Sequence, residues 1–337
     1  MGDLKTRYLG LDLSGPVIAG ASSLTADLET IRRIEAAGAG AVVTKSLFEE
    51  EIQLQRFKME EDREKFSYRH PEMITIFPQL EHRGPTEHLY WVEKTRKALS
   101  IPLIASLNAV EEETWLDYAR QLEETGVDAL ELNLYAAPEK ARRSGRELEE
   151  EQTTLVEKIT AAISIPVSVK LSFFYTSPVH FISRLDRAGI RGLVLFNRLF
   201  QPDIDIFNLE NTFTYHLSDR SDHRLPLKFT GLLSGEIQGD ICSSTGIFEA
   251  EDLIKMVLAG AAAVQVVSTL YRNGVDHIRK INSELAAWMK EKGYSSLMDF
   301  RGQMNRQNIR DPWVYTRAQY VKMLMNPREL LKNVPAP

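Results

Sequence analysis

The chain has 337 residues, 43% of them hydrophobic and 26% charged, an ordinary globular composition that supplies a substantial core and excludes extensive disorder. Its 41 Lys and Arg against 47 Asp and Glu leave a net charge of −6, which excludes a broad attraction to nucleic acid or anionic membrane and makes a small molecule the expected partner. Cys242 is the sole cysteine, excluding an internal disulfide and any multi-cysteine zinc or iron–sulfur site, and neither a bilayer-length apolar run nor a signal peptide's apolar core is present, so the expected location is the cytoplasm.

Residues 8–13 alternate in the manner of a short hairpin, and residues 17–19 form the first strand candidate. The stretch LTADLETIRRIEAAG places Leu28, Ile31 and Ile34 at helical spacing and stops at Gly38. The rhythm then repeats: strand 41–45, a long loop to residue 83, helix 86–99, strand 102–107, helix 111–125, strand 129–134, helix 147–163, strand 166–171, helix 178–188 and strand 192–197. Strands 240–243 and 263–268 follow, with helix 250–259 between them and helix 275–291 after. Eight strands alternating with helices predict an α/β fold, a single (β/α)8 barrel domain over residues 1–337.

Two segments break the rhythm. Residues 46–83 carry EEEIQLQRF and MEEDREKF, which read either as a solvated helix or loop or as a lid over the barrel mouth. Residues 198–238 replace a simple crossover between the sixth and seventh strands, and their RLPLKFTGLLSG is expected to wrap the barrel rather than add a strand. Residues 296–331 form the expected C-terminal helical extension.

The chemistry gathers where the apolar runs end, as it does at the C-terminal mouth of a barrel. Lys45 and Lys170 each follow a run that should be buried, and a buried ammonium needs an anionic partner. That partner is either a strand-end carboxylate such as Glu131 or, since two lysines converge, a bound anion or electron-rich cofactor. Asn108, Asn133 and Asn197 end three further strands, and each offers two donors and an acceptor to a flat heterocycle. Thr245-Gly246 and Val267-Ser268 follow the last two strands, the usual phosphate position of this architecture. A phosphorylated flat cofactor such as FMN suits this set.

These residues resemble those of the class 1 dihydroorotate dehydrogenases over nearly the whole chain. The likeness rests on ASS at 21–23, TKS at 44–46, ELNL at 131–134, VKL at 169–171, Asn197, STGI at 244–247 and AGAAAVQVVSTLYRNG at 259–274. It implies FMN contacts at Ala21, Ser22, Lys45, Asn108, Asn133, Lys170, Thr245, Gly246, Val267 and Ser268, the last four at the phosphate. It implies a substrate facing Lys45, Asn133 and Asn197, and a homodimer; Arg198, which the family does not have, is this chain's own further candidate for holding the substrate. The resemblance implies oxidation at a CH–CH bond, dihydroorotate to orotate, with Lys170 stabilising charge on the reduced flavin.

The departures fall on the substrate side. After ELNL the family has Ser-Cys-Pro-Asn, whose cysteine takes the substrate's proton, whereas this chain has Tyr135-Ala136-Ala137-Pro138. Residues 76–84 read IFPQLEHRG without the family's asparagine, and Arg198 stands where the family has serine or threonine. The likeness is therefore to a divergent branch that lacks the catalytic cysteine and carries NLYA and LFNR patterns. Tyr135 is the candidate proton donor or acceptor, the alternative being a wall against the flavin; a neutral phenol is the better acid, which favours reduction of a C=C or C=N bond. Two other readings compete: a flavin-binding redox subunit that passes electrons to a partner protein, and a flavin-free enzyme using Lys45 or Lys170 as a Schiff-base lysine.

Overall fold

The structure, a computed structural model, describes residues 3–50, 52, 85–134, 143–198, 203–212, 217–316 and 325. A hairpin of β1 (Thr6–Tyr8) and β2 (Leu11–Leu13) leads into β3 (Val17–Ala19), α1 (Leu28–Ala36), β4 (Ala41–Val43) and the two-residue β5 (Leu47–Phe48). Then come α2 (Thr86–Lys97), β6 (Leu103–Asn108), α3 (Glu112–Glu124), β7 (Ala129–Leu134), α4 (Gly145–Ala162), β8 (Val167–Leu171), α5 (Pro178–Arg187) and β9 (Gly192–Leu195). A hairpin of β10 (Asp203–Asp205) and β11 (Glu210–Thr212) precedes α6 (Arg224–Leu233), β12 (Asp240–Ser244), α7 (Ala250–Ala259), β13 (Ala263–Val266), α8 (Ser268–Asn273) and α9 (His277–Lys292). Strands β3, β4, β6, β7, β8, β9, β12 and β13 pair in that order, all parallel, and β13 pairs back to β3, so the expected (β/α)8 barrel closes.

Alternation along the strands sorts the core into two clusters. Val17, Val42, Leu103, Leu130, Val169, Leu193, Ile241 and Val264 face outward and pack under the helices, joining Ile31, Ile34, Leu122, Val156, Ile159, Leu253 and Ile281. Ile18, Ala41, Val43, Ile104, Ala129, Val194, Cys242 and Ala263 face inward, and the hairpin residues Tyr8, Leu9 and Leu13 pack against them as the barrel floor. The plug fits because residue 192 is glycine: a Cβ there would lie 2.5 Å from Leu9 Cδ2 and 3.0 Å from the Tyr8 ring. Residues of the same parity further along these strands must point up the lumen toward the mouth.

Helix starts follow local chemistry. Asp27 accepts the Thr30 N–H at 2.8 Å to begin α1, Ser144 and Glu147 form a reciprocal cap for α4, and Pro178 opens α5. At the opposite face from the mouth a carboxylate clamp recurs. Glu35 accepts from Ser100 and Ile101 before β6, Glu123 from Ser164 and Ile165 before β8, and Asp186 from Gln238 and Gly239 before β12. Each clamp ties the helix after one strand to the turn before the next strand but one.

The crossover segment forms the β10–β11 hairpin, a 3-10 turn at Arg220–His223 and α6, so RLPLKFTGLL wraps the barrel as a helix, with Thr230 Oγ1 2.7 Å from Ser243 Oγ of β12. The C-terminal extension shows 3-10 turns at Leu297–Asp299 and Pro312–Tyr315, and the Tyr315 ring lies against Gly231 of α6, where a Cβ would come within 2.2 Å. Most of the candidate lid, Tyr135 to Pro138, and all but Met325 of the chain after Thr316 lie outside the described residues. Among the described residues no helix is long and apolar enough to cross a membrane.

Candidate active site

Inward parity carries the sequence-selected groups to one end of the barrel. Above Val43 comes Lys45, above Ile104 come Ser106 and Asn108, above Ala129 come Glu131 and Asn133, and above Ser168 come Lys170 and Ser172. Asn197 follows β9, and its Nδ2 donates to Asn133 Oδ1 at 2.8 Å, so two of the three strand-end asparagines form a single polar edge. Lys45, Asn108, Asn133 and Asn197 are half-buried and lie within reach of a ligand at the mouth. Ser46 Oγ sits 2.7 Å from Ser106 Oγ, and Thr44 Oγ1 accepts the Ser106 N–H at 3.1 Å, which locks β4 to β6 beneath Lys45 and Asn108.

Lys170 is buried. Its Nζ donates to Gln265 Oε1 at 3.3 Å and lies 3.7 Å from Glu131 Oε1, while Gln265 Nε2 donates to Glu131 Oε2. The carboxylate named in the sequence as the alternative partner is therefore one partner of Lys170. A lysine offers three N–H donors, and these two acceptors engage at most two of them, so the ion pair and a ligand at the mouth are compatible. Ser172 Oγ, one inward step above Lys170, is buried and has no hydrogen-bond partner among the described residues.

On the opposite side of the mouth, Thr245 and Gly246 leave β12 with φ of 77° and 76°. Thr245 holds this left-handed turn by donating its hydroxyl to Phe196 O at 2.9 Å. Gly246 permits close approach of the 3-10 turn, since a Cβ would lie 2.3 Å from His223 N. Ser218 joins the two loops: its Oγ accepts from Gly246 N at 3.4 Å and donates to Ser268 Oγ at 2.8 Å. The Gly246 amide and the Ser218 hydroxyl are thus engaged with one another and with Ser268, which holds the Thr245-Gly246 and Val267-Ser268 turns side by side and leaves the Ser268 hydroxyl hydrogen for a ligand at the mouth. Ala21 and Ser22 are half-buried after β3, and the adjoining Ser23 is fixed by Tyr271 of α8, whose hydroxyl accepts the Ser23 N–H at 3.2 Å and lies 2.6 Å from Ser23 Oγ.

Arg198 is exposed and pairs with Asp222 of the 3-10 turn at 3.1 Å, bracing the crossover at the mouth's rim. Tyr135 lies outside the described residues. Cys242 sits in the floor among Tyr8, Ile18 and Val194; burial and the nearby Glu131 carboxylate push its thiol up, so it stays protonated and cannot stand in for the missing cysteine base. Among the described residues no group of His, Cys, Asp and Glu could hold a metal ion.

Sequence reading did not single out Gln265, Ser218 and Tyr271. Gln265 had a signal: it is the polar residue inside AVQV, on the inward parity of Ala263. Ser218 had none, because its place depends on how the irregular crossover returns to the mouth.

The family model for dihydroorotate dehydrogenase matches residues 77–289, from before β6 to within α9. The chain belongs to the dihydroorotate dehydrogenase family. It is 28% identical over 305 residues to the catalytic subunit of dihydroorotate dehydrogenase B (NAD(+)) of Methanocaldococcus jannaschii, covering 86% of this chain and 94% of that protein. The catalytic subunits of the same name from Thermoplasma acidophilum and Pyrococcus abyssi are 27% and 25% identical, over 90% and 89% of this chain and 99% and 98% of theirs. Family membership makes the chain an oxidoreductase of dihydroorotate dehydrogenase type.

Proposed function

We propose that the chain is an FMN-dependent oxidoreductase acting on a CH–CH bond of a small, flat, anionic substrate, with dihydroorotate as the first candidate. The observation that carries this reading is the gathering at one mouth of the paired Asn133 and Asn197 and the strand-end Lys170, with the Thr245-Gly246 and Val267-Ser268 turns tied together across from them. Thr245, Gly246, Val267 and Ser268 would hold the phosphate, with Ser218 tying their two turns together, Ala21 and Ser22 would be further contacts to the cofactor, and Lys170 would stabilise charge on its reduced ring. The unsatisfied Ser172 hydroxyl and the remaining donor capacity of Lys170 fit a ring with amide-like edges. Bound FMN would supply the two-electron redox chemistry.

The chain's own residues do the rest. Lys45, Asn133 and Asn197 orient the substrate, the lysine by charge and the asparagines by their shared hydrogen-bonded edge. Lys170 supplies positive charge where negative charge develops on reduction. Tyr135 holds the proton that the family assigns to a cysteine, and Arg198 braces the substrate side of the rim. The relatives above are named as catalytic subunits of an NAD(+) enzyme, which supports an electron-transfer partner protein for this chain; a homodimer and a cytoplasmic location belong to the same proposal.

The deciding experiment is the visible spectrum of the purified protein followed by anaerobic addition of L-dihydroorotate. Flavin absorption that bleaches establishes the dehydrogenase half-reaction. Flavin that persists redirects the substrate assignment to another reducible C=C or C=N compound, and a protein that takes up no FMN overturns the reading.

A further inference from the structure

Beneath the strand-end layer, the partner of Lys170 is a fully buried carboxylate inside the barrel. Glu131 has no solvent exposure, and Oε1 takes no hydrogen bond among the described residues although it lies 3.7 Å from Lys170 Nζ. A barrel lumen is ordinarily filled with apolar side chains, and a buried ion pair gains little stability over such packing. Its cost therefore calls for another return.

Gln265 gives the arrangement a direction. Its amide is fixed by its partners, since only the oxygen can accept from the Lys170 ammonium and only the nitrogen can donate to the Glu131 carboxylate. The same amide is wedged beneath the loop that follows β3: a Cβ on Gly20 would lie 3.2 Å from Gln265 Oε1 and 2.8 Å from Val267 Cγ2. In register Gln265 pairs with Ile18 of β3 and Ser244 of β12, so it links the strands of both proposed cofactor loops to the lysine of β8.

We propose that Glu131 and Gln265 are positioning residues that seat Lys170 beneath the cofactor ring and, through the carboxylate charge, lower the reduction potential of the bound flavin. The inference rests on the FMN reading. Lys170 alone would favour the reduced form, because its charge matches the negative charge gained on reduction. Glu131 opposes that preference in a medium of low dielectric, and Gln265 draws the ammonium down toward the carboxylate. The pair thus sets how far Lys170 biases the flavin.

The test is the two-electron potential of FMN bound to the whole protein, measured alongside FMN affinity by fluorescence. Glu131→Gln should favour the reduced form by at least tenfold, about 30 mV for a two-electron couple, while Glu131→Asp should stay near the parent. Gln265→Met keeps both charges but removes the amide that draws Lys170 down, and should move the potential in the same direction by a smaller amount. FMN binding with potentials within about 9 mV of the parent, a twofold change in the equilibrium, in both Glu131→Gln and Gln265→Met makes the pair purely structural and overturns the proposal. A parent protein that binds no FMN overturns instead the reading on which the proposal rests.

Discussion

Lys170→Met has a calculable consequence that does not depend on any ligand. At 3.7 Å, and with an effective dielectric of about 20, two unit charges attract by about 4.5 kcal/mol, and methionine removes that attraction while leaving Glu131 in the lumen. Gln265 also loses the donor to its Oε1. Breaking a buried pair from one side costs about 3–5 kcal/mol, so the two routes agree. The apoprotein should be measured by equilibrium urea unfolding, because FMN bound to the native state would add its own stabilisation. Combining Lys170→Met with Glu131→Gln removes the stranded charge and should recover all but about 1–2 kcal/mol. A single variant that loses less than about 1 kcal/mol, or a double variant no more stable than the single, would refute the reasoning, since either result means that Glu131 does not depend on Lys170.

Three other sites carry predictions of different kinds. Glu123 is held below the usual carboxylate range by hydrogen bonds from the Ser164 hydroxyl and the Ser164 and Ile165 amides, so its stabilising contribution is full above the ordinary glutamate range and fades as pH falls through its lowered folded-state value; because solvent screens this exposed group, Glu123→Ala should cost only about 1 kcal/mol at neutral pH and less in acid, as read by urea midpoints against pH. Thr245 pays left-handed strain of about 1–3 kcal/mol against one hydrogen bond of about 1 kcal/mol, so Thr245→Gly should unfold within about 1 kcal/mol of the parent, whereas Thr245→Val keeps the strain, loses the bond and should be about 1–2 kcal/mol less stable; equal stability of the two would remove the strain argument. Tyr271→Phe frees Ser23 and should weaken FMN binding severalfold with a loss of stability below about 1 kcal/mol; fluorescence titration showing unchanged affinity would make the Tyr271 contact incidental to the loop.

The barrel was legible because its signals are local and repeated. Apolar runs bounded by helices with Ile31 and Ile34 spacing, stopped at Gly38, recur often enough that eight strands could be counted before any contact was known. Crossover geometry was less legible: RLPLKFTGLL contains a proline and a glycine, both poor in helix interiors, yet it forms α6 because Pro226 lies in the first turn and Gly231 gives Tyr315 a flat surface to rest on. Tertiary packing overrode propensity there. The β10–β11 hairpin had no alternating apolar signal strong enough to separate it from loop, since its Ile204, Ile206, Phe207 and Leu209 are exposed rather than core.

The site divided along a similar line. Residues that a strand places by parity, such as Lys45, Asn108, Asn133 and Lys170, could be chosen from the chain because the end of an apolar run fixes both their height and their direction. Their partners could not be ranked in the same way. From the chain a bound anion was the better claimant for Lys170 and Glu131 the alternative, until Gln265, 95 residues from the lysine, was seen to join it to the carboxylate. This changes what the missing cysteine means. With Cys242 buried in the floor and kept protonated, the floor supplies no thiol base, and under the proposed function the proton falls to another group, for which Tyr135 is the candidate. Since a neutral phenol is a better acid than base, the proposed role of Tyr135 extends to substrates that need a proton delivered rather than abstracted. That sets the order of the substrate search: if dihydroorotate leaves the flavin oxidised, reducible C=C and C=N acceptors offered to the pre-reduced enzyme come next, with Tyr135→Phe separating a phenol that delivers the proton from one that merely walls the ring.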